Sequence, residues 1–242
     1  MKLKSAVSAI NEHGVLLVFP IDNAPEPRSL WSVAYPKSKM RWEWDGNGDD
    51  RVSTMWHLRE ELSRSGKVVY TKWYRGRATF FSRDVFTALL SIYLREPNFK
   101  RALGPEAREV LNVLEGDSPL STKQLKKATD LRGRANERVY EKALRELWSR
   151  LLIVGFGEVD EGAFPSLALG ASSVLFEDLY KEAGGSCAPT ARAPTMSVSQ
   201  ATKRLAKVFG GSELLRKFHE RVLKSFEAQR VAVPRAGYIE FS

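Results

Sequence analysis

The chain has 242 residues, 43% of them apolar and 10% aromatic, a composition that builds folded cores and excludes a disordered or fibrous chain. A formal charge of +9 points to a polyanionic partner, most simply nucleic acid, with an ordinary basic globular protein as the alternative. The single cysteine, Cys187, excludes an internal disulfide and a cysteine-based zinc site, and the scattered His13, His57 and His219 lack ligand spacing.

No apolar run approaches the length of a membrane span, and residues 1–14 lack a signal peptide's apolar core. The sequence therefore predicts no metal, no cofactor and no membrane contact, with a cytoplasmic location. The basic charge is regional: residues 123–150 carry nine Lys/Arg against four Asp/Glu, and residues 186–242 carry ten against four. Residues 151–185 carry one against six, so the charge reads as a face rather than a uniform coat.

In chain order, residues 2–13 predict an amphipathic helix closed by Gly14, and Val15 to Ile21 a buried strand. Residues 23–50 read as an irregular segment, broken by Pro25, Pro27 and Pro36 and by the Gly46-Asn47-Gly48-Asp49-Asp50 turn cluster. Its Trp31, Tyr35, Trp42 and Trp44 either pin this loop to the core or form a stacking platform. Ser53 is the expected cap of a helix running to about Ser65, with Met55, Leu58 and Leu62 inward. The β-branched and aromatic run after Gly66 predicts a hairpin, residues 68–74 and 77–82, turning at Arg75-Gly76. A helix follows from Arg83 to Leu94.

The block GPEAREVLNVLEGDSPLSTKQLKKATDLRGRANERVYEKALRELWSRLLIVGFGEVDEGAF, residues 104–164, predicts three helices and then two short apolar strands around Asp160-Glu161-Gly162. Pro105 suits a first helical turn and Gly116 closes that helix. Ser121 and Gln124 form a capping box for the second helix, with Leu120 and Leu125 at the staple positions. A tight link leads to the third, which is expected from Arg134 or Ala135 to about Leu151. Its core stripe is Val139, Tyr140, Ala143, Leu144, Leu147, Trp148 and Leu151, and Arg134, Arg138, Lys142 and Arg145 form a second, basic stripe. Three helices followed by a hairpin are the layout of a winged helix-turn-helix. The helix and hairpin of residues 53–82 read as a degenerate first copy.

Ser172 to Ala183 predicts one more helix, Gly184 to Pro194 a linker, and about 197–208 and 212–229 two amphipathic helices around Gly210-Gly211; Tyr238 to Phe241 reads as a short strand. The fold expected is α+β, mainly α: a tandem winged helix-turn-helix with an appended C-terminal helical segment. The division is residues 1–100 with the degenerate copy, 101–183 with the full one, a 184–196 linker, and basic helices over 197–242.

The run SPLSTKQLKKATDL…VYEKALRELWSRLLIVGFG resembles the winged-helix core of the AlkZ/YcaQ-type helix-turn-helix DNA glycosylases, especially the shorter bacterial AlkZ-related proteins. Val18-Phe19-Pro20, Leu30-Trp31 and the hairpin from Tyr70 to Ser82 carry the same resemblance, over roughly residues 5–183. It implies a tandem winged-helix fold on duplex DNA, with base excision as the activity of the full glycosylases. Those enzymes use a Gln-x-Gln or Gln-x-Asp pair on an early strand. Here the glutamines are Gln124, Gln200 and Gln229, and the nearest match, Pro20-Ile21-Asp22, keeps only the carboxylate.

Three functions follow. The first is a DNA-binding protein in a repair-related or regulatory role. Arg132, Arg134, Asn136, Arg138, Lys142 and Arg145 would face a groove, and Lys123, Lys126 and Lys127 the backbone. The hairpin residues Lys72, Trp73, Tyr74, Arg75 and Arg77 would track phosphates while an aromatic stacks or wedges, or would simply pack. Glu158, Asp160 and Glu161 make the wing turn unsuited to phosphate. The second is a DNA glycosylase with Asp22 as its carboxylate, against a reading of Asp22 as a turn residue. The third is an interaction module docking a protein partner on the C-terminal helices, through Leu205, Val208, Leu214, Leu215, Phe218, Val222 and Phe226 and the cations beside them.

Overall fold

The computed structural model describes residues 1–41, 49–160, 165–185 and 196–228. Trp42, Trp44, most of the 46–50 turn cluster, Glu161-Gly162, Cys187 with most of the 184–196 linker, and the Tyr238–Phe241 strand lie outside the described residues.

The elements run α1 (Leu3–His13), β1 (Val15–Leu17), α2 (Leu30–Ala34), α3 (Asp50–Arg64), β2 (Val68–Thr71), β3 (Thr79–Ser82) and α4 (Arg83–Leu94). Then follow α5 (Pro105–Gly116), β4 (Leu120–Ser121), α6 (Thr122–Ala128), α7 (Glu137–Ser149), β5 (Ile153–Asp160) and β6 (Pro165–Ala171). The last are α8 (Ser172–Leu175), α9 (Glu177–Glu182), α10 (Val198–Gly210) and α11 (Glu213–Ala228). The fold is mixed α+β, with the six strands in one antiparallel sheet of order β1-β3-β2-β5-β6-β4. None of the helices among the described residues is long and apolar enough to cross a membrane.

That strand order contains the same triplet twice. In β1-β3-β2 a short strand after a helix pairs with the second strand of the later hairpin, and β4-β6-β5 repeats the arrangement. The triplets meet antiparallel through β2 and β5, at Tyr70 opposite Gly155. Gly155 is needed there: a Cβ would overlap the Tyr70 ring. Beneath the sheet one core cluster draws on Val15 and Leu17, on Leu147 and Trp148, and on Leu205, Val222 and Phe226. A second cluster seals α1 and α3 onto β2 and β3 through Ala6, Ile10, Met55, Leu58, Val68 and Phe80.

Several local expectations are corrected. The first strand stops at Leu17, because the chain turns beyond Pro20 with Asp22 and Asn23 both left-handed (φ 50° and 53°). The Asn23 amide brackets Met40, donating to its carbonyl at 3.1 Å and accepting its N–H at 2.7 Å. Asp49 rather than Ser53 caps α3, its carboxylate accepting the Arg51 N–H at 3.1 Å. The hairpin strands are shorter than expected, since residues 72–78 leave the ladder to turn Trp73 and Tyr74 into the core. The helix expected over 172–183 is broken at Phe176 (φ −130°, ψ 51°), whose buried ring packs on Phe86.

The capping box of α6 forms as expected: Ser121 Oγ accepts the Gln124 N–H at 3.1 Å, and the Gln124 side chain accepts the Ser121 N–H at 2.8 Å. At the C-terminal end, α10 packs on α4, and Leu205, Leu215, Val222 and Phe226 face inward. The apolar side expected to dock a protein partner is thus largely spent on the chain's own core, and of those residues Leu214 alone is exposed.

Candidate nucleic-acid interface

The geometry of α7 decides which cations reach solvent. Tyr140, Ala143, Leu147 and Trp148 are buried against α5 and the sheet, and Val139 and Leu144 flank them. With 3.6 residues per turn this orients Arg138, Lys142 and Arg145 outward, and all three are exposed. Arg145 meets Glu141 at 3.7 Å with both side chains more than half exposed, a pair worth little in water. Arg138 and Lys142 have no ion-pair partner among the described residues.

The link to α7 is longer than the tight turn expected. It spans residues 129–136, with Asp130 and Gly133 left-handed, and Thr129 and Leu131 tied back to α6 through Leu125 and Lys126. The helix therefore starts at Glu137, and Arg134 stands in the turn before it rather than on its face. Arg132 and Arg134 are exposed there and add charge ahead of the helical stripe. Asn136 is partly committed, donating its side-chain amide to the Arg132 carbonyl at 3.1 Å.

The cations of α6 divide. Lys126 is held by Glu137 at 2.6 Å and lies 4.8 Å above the Tyr140 ring, so it clamps α6 to the start of α7. Lys123 and Lys127 are exposed on the same helix. The Tyr140 hydroxyl is buried without a hydrogen-bond partner, and burial pushes its pKa upward.

On the hairpin connection the expected residues separate in depth. Arg75 and Arg77 are exposed, with the Arg75 guanidinium 5.4 Å from the Tyr74 ring centre. Trp73 is only 1% exposed: it packs edge-on against Phe81 and Phe218, and its indole N–H points to the Tyr93 hydroxyl at 3.3 Å. The expected stacking or wedging aromatic is therefore a core residue. Lys72 is half-buried, and burial, aided by nearby Arg59, holds its pKa below the usual lysine range.

The expected wing acid Glu158 is not a free charge. It pairs with Arg59, whose side chain is 3% exposed beneath the Trp56 ring. The Asp160 side chain and Glu161 lie outside the described residues. Asp22 is exposed on its left-handed turn, apart from any buried polar network. Among the described residues no group of three or more His, Cys, Asp or Glu is placed to hold a metal ion.

Residues 1–221 match the family described as AlkZ related. The chain belongs to the AlkZ-related family. No curated protein and no solved structure matches it. The family match runs beyond residues 5–183, where the sequence resemblance was read, and takes in α10 and the first half of α11.

Sequence reasoning missed two clefts, neither lined by α7. One, about 650 Å³, lies where the end of α1, the start of α4 and the α10–α11 turn meet, with Lys67, Arg204, Lys207 and Ser212 on its wall. The other, about 560 Å³, shares His13 and Arg28 with it and reaches Tyr35, Lys37 and Lys39. These cations come from four separate segments, so no local run of sequence announces them.

Proposed function

We propose that this AlkZ-related chain is a tandem winged-helix protein that engages duplex DNA, with α7 as its reading helix. The repeated strand triplet supports the winged-helix reading: each copy supplies helix, short strand, helix and hairpin in the order that fold requires. The observation that carries the DNA reading is the exposed, uncompensated Arg134, Arg138 and Lys142 on and just before a helix whose opposite face is buried. Arg132, Lys123, Lys127, Arg75 and Arg77 would supply backbone contacts, since arginine and lysine bind phosphate without reading sequence. Lys126 belongs to the scaffold in this reading, and Trp73 to the core.

Base excision is the alternative, and it rests on Asp22. Its exposed position in a pair of left-handed residues supports a turn role, so no reaction is assigned.

The experiment is an anisotropy titration with duplex DNA at several salt concentrations. Log affinity should fall linearly with log salt, and Arg138→Glu with Lys142→Glu should reduce the slope by about 0.9 per lost phosphate contact. Both side chains are exposed, so the variants should fold normally. Affinity and slope unchanged in the double variant would remove α7 as the reading helix.

A further inference from the structure

The helix α11 is seated on the turn of the first hairpin by its aromatic residues. Phe218 packs edge-on against Trp73 at 4.9 Å and against Tyr74 at 5.1 Å between ring centres. The next residue continues the contact: the Tyr93 hydroxyl accepts the Trp73 indole N–H at 3.3 Å and lies 3.1 Å from His219 Nδ1. Trp73 and Tyr74 are each 1% exposed, so the turn after them rests on a fixed base. Arg75 and Gly76 are both left-handed (φ 51° and 73°), and the Arg77 N–H closes the turn on the Tyr74 carbonyl at 2.9 Å. A left-handed arginine is uncommon, and such backbone persists where its surroundings hold it. Its guanidinium is 5.4 Å from the centre of the same Tyr74 ring that Phe218 touches, so one ring separates Arg75 from α11.

This junction collects charge. Residues 67–83 contain five Lys/Arg and no Asp/Glu. Arg221 stands one turn beyond Phe218, on the flank of α11 that borders the hairpin turn, and Lys224 one turn beyond Arg221. Arg75, Arg77, Arg221 and Lys224 are all exposed and have no ion-pair partner among the described residues. The acids of α11 whose side chains are described, Glu213 and Glu220, lie on the other flank and are paired, with Lys217 at 2.8 Å and Arg216 at 2.7 Å. A protein-docking surface would offer an apolar anchor at its centre. Here the aromatics are turned inward, and Leu214 is the one large apolar side chain exposed on the described part of α11. What remains is cationic, and such groups hold a phosphate backbone without reading its bases.

We infer that the hairpin turn and α11 form one composite surface for the phosphate backbone of duplex DNA. Arg75, Arg77, Arg221 and Lys224 are its contacts, and Phe218 is the residue that positions the two elements against each other. The surface is built from elements other than α7, and it rests on the reading of this chain as a duplex-binding protein. The helix α11, whose apolar side is spent on the core, thereby becomes a second DNA-contacting helix.

The test is an anisotropy titration of the full chain with duplex DNA over a range of salt concentrations. Arg221→Glu with Lys224→Glu should lower the slope of log affinity against log salt by about 0.9 per lost contact, and weaken binding about tenfold or more. Both side chains are exposed, so an unchanged thermal midpoint is expected. Lys203→Glu with Lys207→Glu makes the same change in net charge on the exposed side of α10 and should lower the slope less than half as much. Phe218→Ala should weaken duplex binding about threefold or more, and should add nothing once Arg75, Arg77, Arg221 and Lys224 are all reversed to Glu.

A slope equal to wild type in the Arg221 and Lys224 variant, or an equal drop in the α10 control, overturns the surface. In that case Arg138→Glu with Lys142→Glu still lowering the slope leaves the reading of α7 standing. Wild type without salt-dependent duplex binding overturns both. Poly-L-glutamate displacing the duplex at equal charge concentration overturns the commitment to DNA, since it marks a surface for any polyanion.

Discussion

Replacing Arg150 with methionine should remove about 3–5 kcal/mol of stability, the usual result of breaking a buried ion pair on one side only. Arg150 caps the end of α7 with its side chain 3% exposed. It donates to Glu146 at 3.0 Å, to the Asn98 carbonyl at 3.2 Å, to the Phe99 carbonyl, and weakly to the Ala102 carbonyl at 3.4 Å. Its guanidinium also lies 4.8 Å from the Phe226 ring centre, so one side chain ties α7, the segment before α5, and α11 together. Burial lowers its pKa while Glu146 raises it, so removing either partner leaves a buried charge uncompensated. Methionine keeps much of the stem's packing, so the loss reports the charged head. Glu146→Gln keeps a single acceptor oxygen, so it can serve Arg150 or the Gly104 N–H, which bond to different carboxylate oxygens at 3.0 and 3.3 Å, but not both, and should cost about 1–3 kcal/mol. Urea unfolding of both single variants and the double variant measures the coupling. A loss below about 1 kcal/mol for Arg150→Met, or strict additivity in the double variant, would refute the idea that this guanidinium is the tie.

Gly155→Ala should destabilise by about 1–3 kcal/mol or more, because the new methyl group overlaps the Tyr70 ring at the join between β2 and β5; a melting curve equal to wild type would exclude that join as tight. Ser121→Ala should remove about 1 kcal/mol with little change in DNA affinity, measured by urea unfolding and anisotropy, since the capping box sets the start of α6 and not the surface of α7. His219 should make stability fall on acidification. Burial depresses its pKa to about 4, with Glu220 opposing, while the unfolded chain titrates near 6.5. The unfolded state thus takes up the proton first, so the stability is fully present above about 6.5 and is lost as pH falls toward about 4, by at most about 1.4 kcal/mol per pH unit. His219→Gln, read by denaturant unfolding across that range, should flatten the slope.

Helix positions were legible where the local chemistry was self-contained. Ser121 and Gln124 lie three residues apart and meet as the spacing requires, and the apolar period of residues 139–148 matches the buried side of α7. What escaped depends on partners distant in sequence. Trp73 sits in a basic, aromatic run that reads as a surface, yet Phe81, Tyr93 and Phe218 enclose it, and two of those come from later helices. The start of α7 was misplaced because Arg134 and Ala135 have adequate helical propensity, while the left-handed Gly133 and the Asn136 bond to Arg132 hold them in a turn. The cleft at Ser212 was invisible for the same reason, since five separate segments converge on it.

The repeat explains why one copy carries the cations and the other does not. In the first triplet α3 holds the place that α7 holds in the second, each standing just before its hairpin. But α3 faces the neighbouring β5. Ser63 Oγ accepts the Gly157 N–H at 2.9 Å, Arg64 donates to the Glu158 carbonyl, and Arg59 pairs with the Glu158 carboxylate. Gly157 is left-handed at φ 75°, a conformation that favours glycine, and it lies directly against the Arg64 side chain. A helix whose arginines are engaged in this way, and whose outer side offers Thr54, His57 and Glu61, has no cationic stripe to present to phosphate. The same contacts account for acid on the second hairpin: Glu158 compensates Arg59 at the junction of the two triplets instead of opposing a nucleic acid. The first copy thus acts as the support that fixes β5 and the second hairpin, which frees α7 to carry the exposed Arg138 and Lys142.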